Sequence, residues 1–133
     1  MQRLLEHIHL NVDSITATER FLLTAIPQFT LRGGGSEQGY RKWVHIGNED
    51  CYIALTESPG TVIPDSVRHI GIVTEELDNL IERLHAAGYS ASDSSEIDTH
   101  PHRRRIYYID DNGLSWEFVE YLTSDVAQRN DYS

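Results

Sequence analysis

The sequence predicts an α+β fold made of two tandem βαβββ modules. Three observations predict it. His7-Ile8-His9-Leu10-Asn11-Val12 is echoed by His69-Ile70-Gly71-Ile72-Val73-Thr74, with the leading histidines 62 positions apart. Each of these alternating segments precedes a stretch with helical periodicity. The closing segments match as well, with Ala54 falling where Glu117 falls 63 positions later. Module one covers about 4–58, module two about 66–122, and a polar tail runs over 123–133.

In module one, Leu5 to Val12 alternates. Leu5, His7, His9 and Asn11 share one face, while Glu6, Ile8, Leu10 and Val12 share the other. Asp13 and Ser14 offer N-caps for a helix that ends near Ala25, before Pro27. Ala17, Phe21 and Ala25, with Leu22 and Ile26 alongside, form its apolar stripe. Gln28 to Arg32 reads as a strand, and Gly33-Gly34-Gly35 as a flexible turn or loop. That run lacks the lysine and the strand-to-helix setting of a phosphate cradle. Lys42–Ile46 and Cys51–Thr56 form a hairpin, and 58–65 links the modules.

Module two opens with a strand over Val67–Val73. Its helix carries Leu77, Leu80, Ile81 and Leu84 at amphipathic spacing and stops at Gly88. Residues 90–99 are polar and suit an edge strand. Arg103–Ile109 and Leu114–Leu122 make a final hairpin around Asp110-Asp111-Asn112-Gly113, where Asn-Gly signals a two-residue turn.

Composition narrows the function classes. A net charge of −10 argues against a broad nucleic-acid or anionic-membrane surface. Arg103-Arg104-Arg105 is the one dense basic run; it reads as a solvated strand, with an anion or carboxylate contact as the alternative. The single Cys51 cannot close an internal disulfide and reads as a packed thiol. No apolar run is long enough to span a bilayer. The N-terminal segment carries Glu6 and histidines rather than a signal-peptide core. Cytoplasm is therefore the expected compartment.

Strand parity selects the candidate site. A two-residue turn in the last hairpin puts Glu117 on the same face as Ile106 and Tyr108. A similar turn near Asn48-Glu49 pairs Ala54 with His45 and brings Trp43 to that face; a three-residue turn would reverse this. One cavity then collects His7, His9, His45, His69, Tyr108 and Glu117. Two imidazoles and a carboxylate suit a divalent transition metal and leave coordination positions open. Glu117 lies between Trp116 and Phe118, where a buried carboxylate is costly without a partner. A strand histidine is more often a hydrogen-bonded core or rim residue than a ligand. What favours ligation is that His7 and His69 hold equivalent places in two repeats. His85 reads as solvent-exposed, and His100 and His102 as rim residues flanking Pro101.

The strand-initial His7 and His69, the repeat itself and the closing Asp110-Asp111-Asn112-Gly113-Leu114-Ser115-Trp116-Glu117-Phe118 resemble the vicinal oxygen chelate superfamily. That group contains glyoxalase I, type I extradiol dioxygenases, fosfomycin-resistance enzymes and bleomycin-resistance binding proteins. The closing segment is similar to an Asp-Pro-Asp-Gly turn leading to a ligand glutamate, with Asp111 and Asn112 replacing the second and third residues. The resemblance implies a curled eight-stranded mixed sheet around a cleft. It also implies metal ligands at His7, His69 and Glu117. The fourth glyoxalase I ligand is Ala54 here, and Glu57 has the wrong parity to replace it. A two-histidine, one-carboxylate set implies Fe(II) first, with Zn, Mn or Ni as alternatives.

On that basis the chain reads as a metal-dependent enzyme of dioxygenase-like or lyase/isomerase-like chemistry, binding adjacent oxygens of a small metabolite. His9 and His45 are candidates to move a proton, and Tyr108 to hydrogen-bond a substrate oxygen. Trp43, Tyr52, Ala54, His102 and Arg104 are candidate substrate contacts. The resemblance also implies a homodimer. The competing reading is a non-catalytic small-molecule or antibiotic binder of the bleomycin-resistance type.

Overall fold

The computed structural model of the chain describes residues 4–37, 41–92 and 97–133. They divide into two compact units, 1–65 with the turn 111–113, and 66–110 with 114–133. The predicted β-α-β-β-β order holds in both. The first unit runs β1 (His7–Val12), α1 (Ile15–Ala25), β2 (Thr30–Glu37), β3 (Arg41–Gly47) and β4 (Tyr52–Glu57). The second runs β5 (Ile70–Val73), α2 (Leu77–Ala86), β6 (Asp98–His100), β7 (Arg103–Ile109), β8 (Ser115–Tyr121) and a short α3 (Val126–Arg129). The eight strands form two four-stranded mixed sheets, ordered β1-β4-β3-β2 and β5-β8-β7-β6. In each, the first strand pairs in parallel with the last and the other pairings are antiparallel.

Alternation explains which faces are buried. Along β1, Val12 is buried while His7, His9 and Asn11 are exposed, as the period-two pattern requires. Phe21, Leu22 and Ala25 of α1 are buried in the first unit, where Ile46 and Leu55 are fully covered. Leu77, Leu80 and Leu84 of α2 are buried in the second, where Trp116 and Phe118 are fully covered. Each such side chain contributes about 1.5–3 kcal/mol by leaving water. Helix α2 ends as its sequence predicts: Gly88 takes φ 90°, and Tyr89 N–H returns to Leu84 O at 2.9 Å.

Both main helices are capped by a distant glutamate, and in α1 this departs from the expected cap. Ser14 holds the N-cap position of α1 but makes no side-chain cap bond. The first free amide, Ile15 N–H, instead donates to Glu57 Oε1 at 2.9 Å. In α2, Leu77 N–H donates to Glu120 Oε2 at 3.1 Å. Glu57 and Glu120 are repeat equivalents near the ends of β4 and β8, and each sets a carboxylate at the positive end of its unit's helix. Asp13 serves elsewhere, accepting from Gly60 N–H at 2.6 Å.

The glycine run is not a loop. Gly33, Gly34 and Gly35 lie within β2 and pair with His45, Val44 and Trp43, after a register irregularity between Leu31 and Gly33. The ladder tolerates glycine here because space demands it: a Cβ on Gly34 would lie 2.9 Å from the Trp43 carbonyl oxygen. Strand β5 is also shorter than predicted, so His69 sits just ahead of Ile70. The edge strand expected within 90–99 is confined to Asp98–His100 on the described residues, and 93–96 lie outside them.

The decisive departure is in the last hairpin. Asp110 N–H bonds the Leu114 carbonyl at 2.9 Å, which leaves three residues in the loop, with Gly113 at φ 88°. The register becomes Tyr107↔Glu117, Tyr108↔Trp116 and Ile106↔Phe118. One extra loop residue exchanges the faces of the whole strand. Buried Asp110 holds the turn, accepting from Leu114 N–H and Trp116 Nε1, each at 3.0 Å. The β3–β4 turn does close on two residues, Glu49 and Asp50, through Asn48 N–H to Cys51 O at 3.0 Å. His45 accordingly pairs with Ala54, and Trp43 with Thr56.

Candidate functional site

In the second unit the predicted ligands His69 and Glu117 are neighbours. His69 Nε2 lies 2.9 Å from Glu117 Oε2. Glu117 is buried, so its charge needs compensation from the protein. Arg105 Nη1 stands 3.7 Å from Glu117 Oε1, and Tyr107 hydrogen-bonds the same carboxylate. The His69 ring meets Tyr107 edge-on at 5.4 Å. Tyr107 is pushed above the usual tyrosine range by burial first and by the Glu117 charge second, so it remains a protonated donor. Gly71 is the parallel partner of Glu117, and a Cβ there would lie 3.8 Å from Oε2. Its repeat equivalent is His9, opposite Ala54. The two units thus exchange the large side chain across one ladder position: imidazole against methyl in one, glycine against carboxylate in the other.

This face corrects two sequence expectations. Tyr108 does not share Glu117's face; it is buried on the opposite one, edge-on to Phe118 at 6.2 Å. Arg104 is likewise turned away. It is bound to Asp78 at 2.5 Å and Glu120 at 3.2 Å, beside the start of α2. Tyr107 and Arg105 take the places the sequence assigned to them. His102 lies in the turn between β6 and β7, its carbonyl accepting from Leu122 N–H at 2.9 Å and its ring 5.6 Å from that of His100.

In the first unit, β1, β3 and β4 gather the other predicted residues on one sheet face. The Tyr52 ring stacks on His7 at 4.6 Å and on His45 at 4.5 Å. The Arg32 guanidinium sits 4.2 Å from the Tyr52 ring centre. Trp43, more than one-third exposed, tilts against His45 at 5.0 Å. His7 Nδ1 lies 2.8 Å from Glu6 Oε1, and His9 Nε2 lies 2.7 Å from Thr56 Oγ1. Ala54 is buried between His9 and His45 in the ladder. Burial, followed by the positive charge of Arg32, holds His45 below the ordinary histidine range. His45 is thus neutral at physiological pH and able to accept a proton. Arg32 escaped the sequence reading because the glycine run beside it looked like a loop.

An imidazole nitrogen and a carboxylate oxygen, as His69 and Glu117 supply, are both donor types that a divalent transition metal accepts. Among the described residues, no group of three or more His, Cys, Asp or Glu side chains is drawn together within either unit.

Comparison with solved structures settles the architecture. FosX from Listeria monocytogenes, a genomically encoded fosfomycin resistance protein, superposes with a TM-score of 0.74 at 21% identity, over 98% of this chain and 100% of that one. The chain has the vicinal oxygen chelate fold. A glyoxylase/bleomycin resistance protein/dioxygenase domain from Frankia sp. EAN1pec superposes with a TM-score of 0.72 at 19% identity, over 91% of this chain and 99% of that one. TnmS3, an antibiotic binding protein from Streptomyces sp. CB03234, does so at 0.70 and 16% identity, over 90% and 97%. FosX has been crystallised with Mn(II). No family model and no curated protein sequence matches the chain. Among the described residues, no helix is long and apolar enough to cross a membrane.

Proposed function

We propose that the chain is a divalent-metal-dependent enzyme acting on a small molecule with adjacent oxygens, by lyase, isomerase or ring-cleaving chemistry. The observation that carries this reading is the 2.9 Å approach of His69 Nε2 to the buried Glu117 carboxylate. His69 and Glu117 would hold the cation, and the sequence repeat assigns a third position to His7. A cation held there would supply Lewis-acid polarisation of substrate oxygen. Tyr107 donates a hydrogen bond at the carboxylate's edge and keeps its proton through neutral pH. Arg105 places a permanent positive charge on the same face, suited to a substrate oxyanion. Gly71 stands beside Glu117 on the ladder, where a Cβ would be in ordinary van der Waals contact with Oε2. Mn(II) in FosX supports a divalent cation, and the two-histidine, one-carboxylate set supports Fe(II).

A second reading rests on a different observation. The first unit offers an accessible aromatic surface of Trp43, His45, Tyr52 and His7 with Arg32 beside it. Such a surface suits a planar ligand without any chemistry, and TnmS3 is an antibiotic binding protein. Elemental analysis of protein purified without chelator or affinity tag separates the two. Stoichiometric metal, lost in Glu117→Gln and His69→Ala and reduced in His7→Ala, supports the enzyme. Unchanged metal content in all three variants overturns it. Tight binding of an antibiotic by metal-free protein favours the binder, and oxygen uptake with a catechol panel separates ring cleavage from lyase or isomerase chemistry.

A further inference from the structure

Strand alternation splits the basic run Arg103-Arg104-Arg105 between two faces. Arg104 faces α2 and is bound by Asp78 and Glu120. Arg103 and Arg105 face the other way and, with Asp98, Thr99, His100, Tyr132 and Ser133, line a cavity of about 230 Å³. That is several times the about 30 Å³ a water occupies in the liquid. Two guanidinium groups and an imidazole there meet one acidic side chain of the lining, Asp98, in a chain whose net charge is −10. Asp98 is spoken for by Arg105 Nε, at 2.7 Å. Arg103 grips the backbone of the tail, donating to the Asp131 carbonyl at 2.7 Å and the Arg129 carbonyl at 3.4 Å. Both bonds leave from Nη1, on a guanidinium with five N–H donors in a planar fork. The Tyr132 ring stands 5.4 Å from the same guanidinium.

The rim already attracts a carboxylate. Asp131 Oδ2 lies 3.8 Å from His100 Nε2. The Asp131 carboxyl is held below its usual range, first by hydrogen bonds from Ser133 and then by the nearby His100 and His102.

We propose that this cavity binds a small oxyanion, a phosphate or carboxylate group of a soluble metabolite, between Arg103, His100 and Tyr132. A guanidinium fork matches either group in a bidentate way, and the imidazole adds a donor from the β6 side. The site needs no metal at Glu117. Arg105, which reaches both Asp98 and Glu117, is the one residue common to the two.

Calorimetric titration of the full chain with inorganic phosphate, and separately with acetate, at constant ionic strength tests this. Saturable binding is expected, with the preferred probe showing whether phosphate or carboxylate is the better fit. Arg103→Met should weaken it roughly tenfold, the scale of one lost charge-assisted hydrogen bond. His100→Gln, which leaves the tail's grip on Arg103 in place, should weaken it several-fold, while Arg104→Met should leave it unchanged and Glu117→Gln should not weaken it. No saturation of the parent chain by either probe in the millimolar range overturns the proposal. So does equal loss in Arg104→Met, which would mean bulk charge alone, or abolition by Glu117→Gln, which would place the anion at the metal face instead.

Discussion

Tyr107 stands directly across the β7–β8 ladder from Glu117 and hydrogen-bonds its carboxylate. Its neighbour Tyr108 lies on the other face, in the core. One loop residue, Gly113 in the left-handed region, decides which tyrosine meets the candidate site.

The two tyrosines should therefore separate function from stability. Tyr107→Phe is expected to impair ligand or substrate handling at Glu117 while costing about 1 kcal/mol or less, the scale of one hydrogen bond. Tyr108→Ala is expected to cost about 3 kcal/mol or more, as other large-to-small core substitutions do. Urea titrations alongside a binding or activity assay check both. A Tyr107→Phe chain with fully retained function would remove Tyr107 from the site.

The duplicated caps make a paired prediction. Glu57→Ala and Glu120→Ala should each lower stability by about 1 kcal/mol, through loss of a helix N-terminal acceptor and its favourable charge. Glutamine, which keeps the acceptor but not the charge, should recover part of the loss. Thermal unfolding of the four variants reads this out, and equal stability of all four with the parent chain would contradict it.

Glycines within β2 are constrained unequally. Gly34→Ala drives a Cβ to 2.9 Å from the Trp43 carbonyl and should destabilise the first unit. Gly33 has open space around the corresponding position, so Gly33→Ala should be neutral or stabilise by about 0.5 kcal/mol through the unfolded chain. Comparing denaturation midpoints of the two variants is sufficient.

Acid sensitivity should report the Arg104–Asp78 contact. The hydrogen bond from Arg104, together with its charge, holds Asp78 below the ordinary aspartate range. A depressed carboxyl binds its proton more weakly in the folded state than in the unfolded one. Its contribution to stability is therefore complete above the unfolded value near 3.8 and is lost as pH falls through the depressed one. Asp78 is exposed, so the effect is small and screened by salt. Arg104→Met should flatten the stability curve in that acid window, while leaving the slope above pH 5 or so unchanged.

Much of the candidate site was legible because local periodicity carries it. His7 and His9 share a face from alternation alone, and His45 opposite Ala54 follows from a tight two-residue turn. Tyr107 and Arg105 were missed for the same kind of reason that His45 was found. Parity propagates from the turn, and Asn-Gly is compatible with more than one loop length. The caps were missed because Glu57 and Glu120 lie 42 and 43 residues from the amides they bind.

By itself the sequence determined the doubled β-α-β-β-β order and the apolar faces of both helices, because each is written in spacing of two or 3.6 residues. Only the tertiary structure decided which side chains face Glu117, that three glycines extend a strand, and that distant glutamates cap the helices. Those outcomes depend on how a loop closes its hydrogen bonds and how closely two backbones approach, and neither quantity is encoded in local periodicity.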